Sequence, residues 1–239
     1  MTKNIKPILV IICGGSGSGK TTVAELIRDN MPKTATCEVL SLDWFYLSKD
    51  RIQTKNYDSP ESIDWFEVRE AIKFLIEERQ ETKVPIYDFL TQTITTKKLI
   101  KPADVIILEG ILSLTNEDVN RYADIKLFID VPDDERLIRR LLRDIGSRNT
   151  DINKTIQMWR ENVITMHHEY VEPKKFISDI VIPWGSGEKN LVPIKAVAGA
   201  LEYMIYSTKK RKRNEFLSQA KEIKKQKNSA SKKGQYIPI

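Results

Sequence analysis

The 239-residue chain predicts an α/β fold: a mostly parallel five-stranded sheet flanked by helices, with an inserted β-hairpin and a helical lid. Three observations carry that expectation. Short β-branched runs alternate with segments of helical spacing, the pattern that feeds parallel strands through helical crossovers. The first run is apolar on both faces, as a central parallel strand must be. It ends in a glycine-rich loop that opens into a helix.

In chain order, residues 7–13 (Pro-Ile-Leu-Val-Ile-Ile-Cys) are the first strand, and Thr21 to Arg28 the first helix. Residues 36–42 form the second strand. Residues 60–79 open with a proline and place Ile63, Phe66, Ala71, Phe74 and Leu75 at helical spacing. Val84 to Ile100 alternates and is rich in threonine, so it reads as the inserted hairpin. Asp104 to Leu108 is a buried strand ending at Glu109-Gly110, and Ile125 to Asp130 a fourth. Pro132 to Ile145 is a helix carrying Arg136, Arg139, Arg140 and Arg143, followed by a second from Ile152 to Tyr170. Ser178 to Pro183 is the last strand, and Val192 to Tyr206 a closing helix. One domain therefore covers residues 1–206, with the hairpin insertion at about 83–101 and the lid at about 133–160.

Composition narrows the class. The chain is 41% apolar, enough for a core, and its longest apolar run, Ile8 to Cys13, is far too short to span a bilayer. The N-terminus lacks a signal-peptide pattern. Only Cys13 and Cys37 are present, both in apolar surroundings, so the expectation is a soluble, cytoplasmic protein without disulfides or membrane partners. The net charge of +6 is unevenly placed: residues 207–239 carry +9, leaving −3 on the rest. A mildly acidic body does not read as a nucleic-acid-binding domain, and only the basic tail could attract nucleic acid, without specificity. The tail is polar and Lys-rich and is expected to be disordered or frayed helix.

Gly14 to Thr21 fits G-x-x-x-x-G-K-[ST]. Gly14, Gly15, Ser16, Gly17, Ser18 and Gly19 let backbone N–H groups curl around phosphate oxygens, and the helix N-terminus adds a favourable dipole. Lys20 would reach the β- and γ-phosphates, Thr21 would ligate Mg²⁺, and Thr22 follows in the first helical turn. The expected fold is therefore a P-loop NTPase and the expected ligand a nucleoside triphosphate. A guanine-reading Asn-Lys-x-Asp is absent, since Asn153-Lys154 is followed by Thr155-Ile156, and Glu109 is a lone glutamate where translocating ATPases have an acidic pair. Asp43, leaving the second strand on the same edge as the loop, could face the γ-phosphate and accept a hydroxyl proton, or could simply cap a turn.

Seven segments occur in one order: Ser41-Leu42-Asp43-Trp44-Phe45-Tyr46, Asn56 to Asp64 (with Tyr57-Asp58-Ser59-Pro60), Pro85-Ile86-Tyr87-Asp88-Phe89, Ala103 to Leu112 (with Glu109-Gly110), Lys126 to Asp130, Arg136 to Ile145 (with Arg139-Arg140 and Arg143) and Pro173 to Pro183. Together they resemble the uridine kinase family and its relatives, phosphoribulokinase and bacterial pantothenate kinase, over about residues 8–206. The resemblance implies ATP-dependent phosphorylation of a nucleoside 5′-hydroxyl, uridine or cytidine, in pyrimidine salvage, by a homo-oligomer. It makes Asp43 the catalytic base beside Lys20, and Thr21, Glu109 and Asp43 the Mg²⁺ site. Asp58 would bind the ribose hydroxyls, with Tyr46, Tyr87, Phe89, Gln92 and Arg140 around the nucleoside, and Arg143 and Arg148 on the phosphates.

Departures from the family pattern fall on the acceptor side. Gln92 stands where the family has a pyrimidine-reading histidine, Thr150 replaces an arginine and Met158 a glutamine. Rival readings are a kinase of the same fold acting on a sugar phosphate, a nucleotide-binding protein without catalysis, and an RNA-binding protein. Arg136 and Arg139 read as a solvated helix face pairing with acidic neighbours, and His167-His168 as a solvated pair without ligand partners. The four tryptophans, Trp44, Trp65, Trp159 and Trp184, read as packing.

Overall fold

The computed structural model describes residues 5–52, 56–148, 150–185 and 190–233. In chain order its strands are β1 (Ile8–Gly14), β2 (Cys37–Ser41), β3 (Thr82–Asp88), β4 (Thr93–Ile100), β5 (Val105–Glu109), β6 (Ile125–Asp130) and β7 (Ile180–Pro183). The α-helices are α1 (Lys20–Asp29), α2 (Trp65–Lys73), α3 (Glu117–Asn120), α4 (Asp133–Arg148), α5 (Ile152–Met158), α6 (Ile164–Met166) and α7 (Val192–Lys233). Five strands form one sheet of order β2-β5-β1-β6-β7 with every pairing parallel. β1 is central, and all seven of its residues are buried.

Alternation along β1 explains the two layers. Leu9, Ile11 and Cys13 face a cluster shared with Val68, Ala71 and Ile72 of α2. Ile8, Val10 and Ile12 face the other side, against Val23, Ala24 and Ile27 of α1 and Ile194, Val197 and Leu201 of α7. Truncating a residue such as Leu9 to Ala would cost about 2–5 kcal/mol, because both sides of the sheet are packed. The hairpin β3–β4 is a separate antiparallel pair, as expected, with a register shift between Ile86 and Tyr87.

Three helical readings need correction. Residues 60–79 begin with a 3₁₀ turn at Pro60–Ser62; α2 starts only at Trp65, where the Asp64 carboxylate accepts from Glu67 N–H. The segment 152–170 is not one α-helix: π-helical turns at Trp159–Val163 and His167–Val171 interrupt it. Trp159, Val163, His167 and Val171 are all buried. A stripe repeating every fourth residue drifts around an α-helix of 3.6 residues per turn, and the wider π turns take up that drift.

The third correction concerns the tail. The closing helix does not stop at Tyr206 but continues as α7 to Lys233. Its Lys-, Arg- and Gln-rich sequence favours helix, and no glycine or proline occurs between Gly199 and Gly234.

Candidate active site

The glycine-rich loop leaves the central strand and enters α1. Gly17 has φ +80°, and a Cβ there would overlap the Arg136 carbonyl, so both backbone angle and space call for glycine. Ser18 N–H donates to the Gly15 carbonyl at 3.1 Å, closing the turn. Gly19 caps α1 without any side-chain bond, which leaves the first N–H groups of the helix facing the loop. Lys20 is buried and folds its ammonium back onto the Gly15 carbonyl at 3.0 Å. The Thr21 hydroxyl donates to Glu109 Oε1 at 3.2 Å.

Parallel register brings the other strand ends alongside. Glu109 pairs in register with Ile12 on one side and Ser41 on the other. Asp43 follows β2 in a 3₁₀ turn, Leu42–Phe45. A Cβ on Gly110 would come 2.5 Å from Leu42 Cβ, so glycine lets the end of β5 pass beneath this turn. An isolated antiparallel bridge, Tyr46 to Ile63, and the bond from Asp64 N–H to the Phe45 carbonyl at 2.8 Å tie the turn to the 56–64 loop that carries Asp58. Within that loop Asn56 Oδ1 accepts from Asp58 N–H at 3.0 Å, and the Ser62 hydroxyl donates to the Ser59 carbonyl at 2.6 Å.

The buried charges act on one another. Burial lowers the Lys20 ammonium below its ordinary range, opposed by Glu109 and then Asp43. Burial raises Glu109, the Asp43 charge raises it further, and Lys20 opposes. Asp58 is raised by desolvation, opposed by Arg140 and reinforced by Asp43. Lys20, Asp43, Asp58, Glu109, Arg140 and Arg143 are therefore electrostatic neighbours. The displaced titrations of Lys20, Asp58 and Glu109, each coupled to a charge in the same cluster, make it the candidate functional site.

The arginines of α4 sit differently from the sequence expectation. Arg136 is not solvated: it is 1% exposed, donates to the Val131 carbonyl at 3.2 Å and the Ser16 carbonyl at 3.4 Å, pairs with Asp133, and lies over the Trp159 ring. It braces the phosphate loop from behind. Arg139 is one-quarter exposed; it pairs with Glu135 at 2.7 Å but also donates to the Trp184 carbonyl at 3.2 Å. Arg140 is buried, with Nη1 donating to Ser16 Oγ at 3.0 Å and Nε 3.3 Å from Asp144. Arg143 pairs with the same Asp144 at 2.9 Å. The side chain of Arg148 lies outside the described residues. The signal for Arg136 was its helical spacing to Arg140 and Arg143, which puts all three on one face.

Tyr46, Tyr87 and Phe89 form one aromatic cluster, with centroids 5.6 Å apart for Tyr46–Tyr87, 5.8 Å for Tyr46–Phe89 and 5.3 Å for Tyr87–Phe89. Tyr57 joins it at 5.8 Å from Tyr46, a member legible in the sequence only as the neighbour of Asp58. Burial, then a hydrogen bond with Tyr57, pushes the Tyr87 phenol well above its ordinary range. Gln92 lies in the hairpin turn at φ +57°, its carbonyl accepting from Lys49 N–H at 3.2 Å. His167 is also a correction. It is buried at 8% exposure, and only His168 is solvated, 2.6 Å from Glu172, a carboxylate at ligand spacing after all. Trp159 and Trp184 are buried, and Trp44 and Trp65 pack against the core.

A parallel sheet in this strand order, with the glycine-rich loop between its central strand and α1, defines a P-loop nucleotide-binding protein. Within that class the chain belongs to the phosphoribulokinase / uridine kinase family, whose model matches residues 9–191. It is 40% identical over 197 residues to a uridine kinase of Ureaplasma parvum, covering 80% of this chain and 94% of that one. Identity to a uridine kinase of Lactobacillus helveticus is 36%, over 80% and 92% of the two chains. Among solved structures, a possible uridine kinase from Bacillus stearothermophilus superposes with a TM-score of 0.54 at 21% identity, covering 75% of this chain and 90% of that one. That likeness concerns the fold.

Proposed function

We propose that the chain transfers the γ-phosphoryl group of ATP to the 5′-hydroxyl of a pyrimidine nucleoside, uridine before cytidine, as a salvage enzyme. One observation carries the reading: a single electrostatic cluster joins the phosphate loop (Lys20), the strand ends (Asp43, Glu109) and the acceptor loop (Asp58), with the Tyr46–Tyr57–Tyr87–Phe89 aromatic cluster in the neighbouring segments. The family relatives named uridine kinase support the choice of acceptor.

The family resemblance and the neighbourhoods above support the following roles. Asp43 accepts the proton of the attacking hydroxyl, and the nucleoside oxygen displaces ADP directly, in line. Lys20, Arg140, Arg143 and Arg148 neutralise the charge that spreads over the phosphoryl oxygens. The N–H groups of Gly14 to Thr22 cradle the phosphates. Asp58 receives the ribose hydroxyls with its two acceptor oxygens, Tyr46, Tyr87 and Phe89 flank the base, and the Gln92 amide can both donate to and accept from a pyrimidine edge. Thr21, Glu109 and Asp43 are hard oxygen donors, with Thr21 and Glu109 already 3.2 Å apart, and fit Mg²⁺. When bound, Mg²⁺ neutralises phosphate charge. We further infer a cytoplasmic homo-oligomer, with nucleic acid attracted only through the basic tail.

A substrate panel tests the reading. Purified protein is given ATP, Mg²⁺ and one of uridine, cytidine, purine nucleosides or ribulose 5-phosphate, and ADP release is followed. The expected result is turnover with uridine and cytidine. Turnover with the sugar phosphate alone overturns it.

A further inference from the structure

We propose that His167 is an acceptor-contacting residue, its imidazole hydrogen-bonding a sugar hydroxyl of the bound substrate across from Asp58. The proposal rests on the nucleoside reading above and deepens it by naming a second hydroxyl-reading group. Neither the phosphate loop nor the segments on which the family resemblance rests contain this residue.

Three observations point the same way. His167 is 8% exposed, yet its Nδ1 has no hydrogen-bond partner among the described residues. Buried polar atoms are nearly always paired, so an orphan in a cleft is a candidate for contact with a ligand. The imidazole also lines a small cavity together with Ser16 of the phosphate loop, Asp58 and the apolar Ile111, Val163 and Met166. That cavity has room for about one water-sized group, which suits a hydroxyl and excludes a nucleobase.

Charge narrows the ligand further. Burial, and then the Arg136 cation, drop the His167 titration to about 4, against the pull of Asp133 and Glu172. At working pH the ring is therefore neutral, one nitrogen donating and the other accepting. A phosphate would meet no cation on this ring and would face the Asp58 carboxylate. A hydroxyl fits both walls: its O–H donates to Asp58 and its oxygen accepts from the imidazole. The rival explanation is packing, since residue 167 belongs to the buried stripe of Trp159, Val163 and Val171. A phenyl ring would serve packing equally well.

The experiment uses that difference. His167→Phe keeps ring and burial but removes both nitrogens; His167→Asn keeps an amide near the Nδ1 position. Steady-state kinetics are measured with the ribonucleoside, its 2′-deoxy and 3′-deoxy analogues, and with ATP as the varied substrate. His167→Phe should raise KM for the ribonucleoside tenfold or more, with KM for ATP within twofold. One deoxy analogue should lose its disadvantage in this variant, and His167→Asn should recover part of the loss. An unchanged ribonucleoside KM, a loss shared equally by all three sugars, or no recovery with Asn overturns the proposal. If His167→Phe does not fold, the deoxy comparison with His167→Asn decides. If the substrate panel finds a non-nucleoside acceptor, the nucleoside reading fails, and His167 is tested with that acceptor and its deoxy analogue.

Discussion

The proposed phosphate and acceptor sides of the site are built in different ways. The phosphate side uses the ends of adjacent parallel strands and one short loop, so β1, β2 and β5 fix Lys20, Glu109 and Asp43 through sheet register. The acceptor side is assembled from pieces far apart in sequence: the 56–64 loop, the hairpin, and a helix interrupted by π turns. Of the departures from the family pattern, Gln92 lies in the hairpin turn and Met158 in the interrupted helix, whereas Thr150 sits between α4 and α5, its N–H donating to the Asp144 carbonyl at 2.9 Å. On the proposed roles, phosphoryl transfer rests on strand ends joined in one sheet, and acceptor choice on segments outside that sheet.

The sharpest way to break that contrast is Asp43→Asn. The change keeps the shape of the 3₁₀ turn but removes the proton acceptor, so kcat should fall by about 10²–10⁴. ATP affinity, measured by titration calorimetry, should stay within a few-fold. Retention of more than a tenth of the wild-type kcat would move the base elsewhere.

A second test addresses stability on the acceptor side. His167 titrates at about 4 when folded and at about 6.5 when unfolded. As pH falls through that window the unfolded chain takes up the proton first, so folding stability is lost, by about 3 kcal/mol at pH 4. Raised carboxylates such as Glu109 act in the opposite sense, and the comparison with His167→Phe isolates the imidazole. Urea denaturation at pH 7, 5.5 and 4.2 should show a shallower acid loss in the variant. Parallel pH curves would mean that the ring takes up its proton in the fold as readily as in the unfolded chain.

Asp58→Ala should have a smaller, more selective effect. KM for the ribonucleoside should rise about tenfold or more, worth about 1.4 kcal/mol, while KM for ATP changes little. The preference for ribose over 2′-deoxyribose should shrink. An unaltered ribose preference would take Asp58 out of the sugar site and weaken the contrast between the two sides.

How much was legible follows the same division. β1, the loop, Glu109 and Asp43 were readable because each is a local pattern: an apolar run, a glycine spacing, a carboxylate at a strand end. Arg136 and His167 were misread as solvated, since charge and imidazole alone suggest a surface. What buries them is tertiary: besides the nearby Val131 carbonyl, Arg136 finds the Ser16 carbonyl and the Trp159 face, both remote from it in a one-dimensional reading. The π turns were invisible for a related reason, because a four-residue apolar repeat fits an α-helix nearly as well over a short span. Composition left the tail open between disorder and frayed helix, since lysine suits both; only the end set at Tyr206 for the closing helix was wrong.

That tail supplies the smallest expected effect. Among the described residues α7 is last buried at Ile205, and beyond it Lys209 Nζ lies 3.5 Å from Asp104 Oδ1. Asp104 lies at the start of β5, the opposite end of the sheet from Glu109, so the pair is remote from the cleft. Among the described residues, ending the chain after Tyr206 removes one partly exposed ion pair to the body, Lys209–Asp104, worth about 0–1 kcal/mol, and the Arg211–Glu215 pair within the tail itself. It also removes eleven of the basic residues. The truncated protein should keep kcat/KM within about threefold and lose a degree or two of Tm. Any RNA retained by the full chain at low salt should be released, because counterion release is the only attraction such a segment offers. A folded truncated protein without kinase activity would place α7 in the working enzyme, and the division between a catalytic body and a dispensable basic helix would fall.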